Sequence, residues 1–299
     1  MPATGLDAIA DRDGRLAVLA MDQRATLRRM LAGAGRPGED RDLEQFKVDV
    51  IGALSPLSSG VLTDVDHGVG PVRRAGALAA GVGLLIAAEP AEKARVGGEY
   101  LTTADPGQGA AWVRANTGDA LKFLVYWDPD RPAARGEPDL AQVALDVVAG
   151  VVADCAAHGV PSVIEPLVSF APDARPAQAG QEAAVVRSAG RLAALGMDLL
   201  KLEWPGGPEG CAEITGRLGT VPWALLSAGV AYEAFVERVE VALDNGACGV
   251  IAGRAIWGEA VEHTGADRLA WLADVAVPRM RGLLAVLAGR GRSWREVAS

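Results

Sequence analysis

Two lysines and two glutamates each sit inside a short apolar run: Lys122 in ALKFLVYW, Glu165 in VPSVIEPLV, and Lys201 with Glu203 in DLLKLEW. Buried ion pairs roughly break even against apolar replacements, so stability alone gives no reason to place four charges there. A lysine held in a poorly hydrated pocket beside a second ammonium has its pKa pushed down, because both effects disfavour the charged form. A neutral amine can attack a carbonyl and form an imine. The protonated imine then acts as an electron sink for cleavage of a nearby carbon–carbon bond. Such a reaction also requires a base for a hydroxyl proton and an acid for the resulting enamine carbon. Strand position favours Lys201 for the imine and Lys122 for the charged partner, with the reverse assignment open on these residues alone. Glu165 lies on the run between them and is the candidate proton shuttle. Asp22 and Gln23, in the segment MDQR, can bind substrate hydroxyls, and Asp22 can also orient Lys122.

The elements that position these groups repeat along the chain. Short apolar runs at 15–21, 59–65, 82–88, 120–127, 160–168, 198–204, 222–228 and 249–255 read as strands. Several are continuously apolar, as expected of parallel strands covered by helices. In the sixth run, alternation turns Leu200 and Leu202 one way and Lys201 and Glu203 the other. Helical patterns are predicted at 42–54, 105–117, 139–157, 181–195, 231–245 and 264–288, several with an Asp at the start or Gly at the stop. The link at 71–80 is short, the piece after 204 is indistinct, and 33–41 and 129–138 read as loops. Eight strands alternating with helices predict an α/β fold, a (β/α)8 TIM barrel, with 1–299 forming one catalytic domain. An open doubly wound sheet is the rival, but no G-x-G-x-x-G follows a strand.

In a barrel the chemistry gathers at the C-terminal ends of the strands, where phosphate often sits between the last two loops. LLSAGV places Ser227 and Gly229 there, and IAGRAIW places Gly253 and Arg254. Small residues expose backbone N–H groups and Arg254 offers a fork of donors, so these loops are the candidate anion site. Asp22 could instead cap a helix beginning near Ala25. Asp64 and Asp66 could order their own turn or, with Glu89, hold Mg²⁺. The three histidines form no metal motif, so no metal or other cofactor is expected.

Lys and Arg number 29 against 38 Asp and Glu, a net charge of -9, and no basic stripe is present. Nucleic acid is therefore not expected as a partner. The N-terminus lacks a basic segment followed by an apolar core, and apolar runs such as VALDVVAGVVA read as broken by charge or shorter than the roughly 20 residues of a membrane span. Three scattered cysteines give no disulfide framework. A cytoplasmic location and no membrane partner are the expectation, and homo-oligomerisation is the ordinary one for a soluble enzyme.

AMDQRATLRRML, LTDVDHG, LLIAAE, LKFLVYWDPD, IEPLVSF, DLLKLEWP, LLSAGV and GVIAGRAIW follow one another between about 15 and 260. In order and context they resemble the tagatose 1,6-bisphosphate aldolase family, which also includes sulfofructose-phosphate aldolases. The resemblance implies a class I aldolase barrel with a Schiff-base lysine at Lys201 and no metal. It places Lys122, Glu165, Asp22 and Gln23 at the family's other active positions, and Ser227, Gly229 and Arg254 in its acidic-group loops. It implies cleavage of a ketose phosphate to dihydroxyacetone phosphate and a three-carbon aldehyde, with a sugar phosphate or a sulfonated sugar phosphate as the small-molecule partner. The chain departs from the family pattern after the second strand, with D-V-D-H-G in place of a D-P-E-Y-G type turn, and after the third, with EPAEKARVGGEY. Arg24, Arg73, Arg74, Lys93 and Arg95 lie near those loops. Two alternatives accompany this reading: a lyase or isomerase using the anion site and acid–base pair without an imine, and a non-catalytic sugar-phosphate-binding protein. Keeping both lysines argues against the second, since binding an anion needs no amine poised for attack.

Overall fold

The computed structural model describes residues 5–133, 136–171 and 173–299. The first four residues of the N-terminal segment and part of the 129–138 loop thus lie outside the described residues. Eight parallel strands close into a barrel in sequence order: β1 (Leu16–Met21), β2 (Gly60–Thr63), β3 (Gly83–Ala87), β4 (Ala120–Trp127), β5 (Ser162–Val168), β6 (Leu199–Leu202), β7 (Trp223–Leu226) and β8 (Gly249–Ala252). β8 returns to β1, pairing Leu16 with Gly249.

Alternation along the strands builds two apolar layers. Leu16, Val18, Leu85, Val163, Leu199 and Ala224 belong to a cluster inside the barrel, closed below by Leu6, Ile9 and Trp294. Leu200, Leu202, Leu121, Phe123 and Ile164 join the larger cluster between barrel and helices. Parity therefore turns Lys122, Glu165 and Lys201 inward, above the apolar plug.

The helices largely follow their sequence signals. Asp139 caps Leu140–His158 by accepting from the Gln142 N–H at 3.0 Å, and Gly159 ends that helix at φ 61. At 19 residues this helix is long and apolar enough to cross a bilayer, so the expected shortness of its apolar run does not hold. It lies instead against β4 and β5. The helix expected at 105–117 shrinks to Ala110–Ala115, because Asp105 accepts from the Gly107 N–H and folds its segment into a turn. The indistinct piece after 204 holds Pro208–Leu218, with proline in its first turn. The last long helix contains a π segment, Leu272–Ala276, just before Pro278, whose missing N–H interrupts the hydrogen-bond ladder. A hairpin of Arg95–Val96 and Glu99–Tyr100 follows β3 and is pinned by the Glu99–Arg131 ion pair at 2.8 Å.

Candidate active site

Register explains why the charged side chains meet. Val163 pairs with Lys122 on one side and Leu199 on the other, whereas Ile164 pairs with Phe123 and Leu200. Glu165 and Lys201 therefore stand one pleat step nearer the mouth than Lys122, on adjacent strands about 5 Å apart.

Glu165 bridges the two lysines. Its Oε2 lies 2.7 Å from Lys122 Nζ and its Oε1 lies 2.8 Å from Lys201 Nζ. Lys122 also donates to Asp22 Oδ2 at 2.8 Å and Glu89 Oε1 at 3.1 Å, so three carboxylates surround its ammonium. Burial pushes the Lys122 ammonium down, but Asp22, Glu165 and Glu89 outweigh it and hold the group well above the ordinary lysine range. Burial likewise raises Asp22 and Glu165, and in both cases Lys122 and then Lys201 reverse the sign, holding the carboxyls below their usual range. Lys201 has a single carboxylate partner and faces a cavity of about 210 Å³, which Gln23, Glu165, Glu203, Ser227 and Arg254 help to line. Larger cavities, of about 460 Å³ beside Asp146 and Asp154 and about 340 Å³ beside Arg73 and Asp119, contain no lysine.

Asp22 turns to Lys122, and the helix starting at Ala25 has no side-chain cap. Gln23 lines the cavity with its Oε1 buried and without a hydrogen-bond partner among the described residues. Such an atom is costly to leave unpaired and is free to meet a hydroxyl.

At the ends of β7 and β8, Ser227, Gly253 and Arg254 line the same cavity. Arg254 donates to the Ala228 carbonyl at 3.3 Å. A Cβ on Gly253 would stand 2.4 Å from the Ala20 carbonyl oxygen, so only glycine lets this loop approach β1 so closely. Gly229 does not line the cavity. It sits at φ 79 with its bare Cα against the Arg254 guanidinium, behind the candidate anion loop.

The proposed oxygen set for Mg²⁺ separates. Glu89 turns to Lys122 and to the Leu124 N–H at 3.2 Å, away from Asp64 and Asp66. The close trio is Asp64, Asp66 and His67. Within it, Asp64 pairs with the fully buried Lys47 and accepts from the His67 N–H, and Asp66 pairs with Arg24 at 3.2 Å. These partners already engage its carboxylates.

One group escaped the sequence reading, and two were seen without the part the structure gives them. Lys47 is invisible because it occupies one position of the helix Asp40–Leu54 and meets Asp64 only across the fold. Glu89 had a signal, a charge directly after a strand, but its partner lies on β4. Glu203 was visible as the inward neighbour of Lys201, without an assigned part.

The DeoC/LacD family aldolases match residues 16–259. A tagatose 1,6-diphosphate aldolase of Listeria monocytogenes serotype 4a (strain HCC23) is 30% identical over 290 residues, 87% of this chain and 82% of the relative. Tagatose 1,6-diphosphate aldolase 2 of Streptococcus agalactiae serotype III (strain NEM316) is 28% identical, covering 97% and 96%. In fold, the chain is similar to an archaeal fructose 1,6-bisphosphate aldolase at TM-score 0.65 and 17% identity, covering 95% of this chain and 98% of that one. Family match and barrel architecture agree over the segment that carries Asp22, Lys122, Glu165, Lys201 and Arg254, and the chain belongs to the DeoC/LacD aldolase family.

Proposed function

We propose that the chain, as one catalytic unit over 1–299, is a class I aldolase that forms its imine at Lys201. It cleaves a phosphorylated ketose of the tagatose or fructose bisphosphate type to dihydroxyacetone phosphate and an aldehyde. The observation that carries this reading is the inequality of the two lysines. Lys122 is ion-paired with three carboxylates, whereas Lys201 has one carboxylate partner and open space beside it. The relatives named as tagatose 1,6-diphosphate aldolases support the substrate class.

The amine of Lys201 adds to the ketone carbon, and Glu165 Oε1, at 2.8 Å, is placed to take its proton. Neutralising Lys201 removes one of the two cations that hold Glu165 ionised, so the carboxylate gains proton affinity at the moment it must accept. Loss of water then gives the protonated imine. It receives the electron pair of the C3–C4 bond while a base takes the C4 hydroxyl proton, and the aldehyde leaves. Protonation of the enamine carbon and hydrolysis release dihydroxyacetone phosphate. Lys122 stays charged throughout and keeps Glu165 and Asp22 in place. Gln23 Oε1 meets a substrate hydroxyl. The phosphate next to the ketone sits at Ser227, Gly253 and Arg254, with Gly229 supporting the Arg254 fork.

The distal group points toward the β1 and β3 loops, where Arg24 contacts Glu89 and Lys93 is half-buried. Arg73, Arg74 and Arg95 are turned to Thr117, Glu44 and Tyr100 instead. Comparing kcat/KM on tagatose 1,6-bisphosphate, fructose 1,6-bisphosphate and sulfofructose 1-phosphate identifies that group as phosphate or sulfonate.

Borohydride reduction in the presence of dihydroxyacetone phosphate adds one adduct, mapped to Lys201. Absence of the adduct, with activity unchanged in Lys201→Met, would refute the imine. Activity is expected to survive exhaustive EDTA treatment.

A further inference from the structure

We propose that Glu203 is a second acid of the site, the proton donor that expels water from the carbinolamine on Lys201. This rests on the aldolase reading above. Two steps of that reaction pull in opposite directions. Accepting a proton needs an ionised carboxylate, and removing hydroxide from the carbinolamine carbon needs a protonated acid. In the resting site Glu165 lies between two ammonium groups that keep it ionised, which suits it first to accept the Lys201 proton.

Glu203 has the opposite surroundings in the same cavity. It follows Lys201 by two residues, so alternation puts both on the inner face, with Leu202 packed outward between them. Its Oε2 accepts the Val168 N–H of β5 at 2.8 Å, which fixes the carboxyl of a side chain that lines the cavity. Among the described residues, no lysine, arginine or histidine forms an ion pair with it. The titratable groups sharing its cavity are Glu165 on β5, Lys201 on its own strand and Arg254 after β8. Burial pushes its pKa up, the Val168 N–H offsets part of this, and the Glu165 charge adds to the rise, to about 7. Two carboxyls whose environments drive their proton affinities apart are suited to separate acid and base duties.

The step balances without an added reactant. The Glu203 proton passes to the carbinolamine oxygen, the C–O bond breaks with its electron pair, and water departs. The Lys201 nitrogen lone pair forms the C=N bond, leaving a Glu203 carboxylate beside an iminium cation. On hydrolysis the carboxylate takes a proton from the attacking water, and Glu203 is restored.

The test measures single-turnover formation of the borohydride-trapped Lys201 adduct with dihydroxyacetone phosphate, as a function of pH, in the full chain and in Glu203→Gln and Glu203→Asp. The wild type should stop gaining rate above about pH 7, as loss of the Glu203 proton offsets deprotonation of the attacking amine. Glu203→Gln should form adduct about 100-fold more slowly and keep accelerating into the alkaline range, and Glu203→Asp should recover part of the rate. A Glu203→Gln enzyme that is as fast as wild type, or that levels at the same pH, overturns the proposal and leaves Lys201 untouched. If Glu203→Gln does not fold, the wild-type profile decides, since a rate still climbing well above neutrality overturns it. No adduct on wild-type Lys201 removes the aldolase reading and this proposal together.

Discussion

Lys47 and Lys201 are both ammonium groups withdrawn from water, and the fold uses them differently. Lys47 is 0% exposed, with its Nζ on the Met21 carbonyl at 2.9 Å and on Asp64, whose other oxygen accepts from His67. That arrangement ties the helix Asp40–Leu54 to the ends of β1 and β2. Lys201 is nearly as buried, at 4%, but has one carboxylate partner, which it shares with Lys122, and a cavity at its tip. Under the proposed mechanism, burial of charge is therefore not what marks the reactive group. Incomplete pairing beside open space is, because only such an amine can shed its proton and still be reached by a ketone.

The largest way to break the contrast is to remove each lysine in turn. Lys201→Met should lower retro-aldol kcat by more than about 1,000-fold, measured by coupled assay, with the thermal midpoint little changed. Lys47→Met should do the reverse. It strands the Asp64 carboxylate, a loss of about 3–5 kcal/mol in denaturant unfolding, while kcat per folded molecule stays near wild type.

The pH dependence of stability sharpens it next, since the site holds carboxyls shifted in both directions. Glu203 binds its proton more tightly folded than unfolded, so its contribution is present at low pH and is lost as pH rises from the unfolded value of about 4.5 through about 7. Glu203→Gln should therefore gain stability relative to wild type across that window, by up to about 3 kcal/mol. Asp22 has the opposite sign. Its contribution is full above the unfolded carboxyl pKa and is lost as pH falls below it, so Asp22→Asn should flatten the acid side of the unfolding curve. The smallest effect is expected at the anion rim, where Arg254→Gln should raise KM for a ketose 1-phosphate by about 10- to 100-fold, with the Lys201 adduct still trapped at saturating dihydroxyacetone phosphate.

Much of this was legible from periodicity. The alternation in DLLKLEW turned Lys201 and Glu203 inward, and a single charge within each of the apolar runs ALKFLVYW and VPSVIEPLV marked Lys122 and Glu165. Side-chain direction in a strand is a local property, and so is a glycine or aspartate helix signal such as Asp139 or Gly159. Where local signals competed, the reading failed: Asp105 followed by proline suits a helix start and a turn equally, and the turn formed.

Composition and residue order by themselves determined the strand count, the barrel and the inward charged set, because all three follow from spacing along one chain. Only the tertiary structure decided how many partners each charge has. Three carboxylates from β1, β3 and β5 converge on Lys122, one on Lys201 and none of the lysines on Glu203. Proton affinity in a low-dielectric interior depends on distances between residues far apart in sequence, and those distances exist only once the barrel has closed.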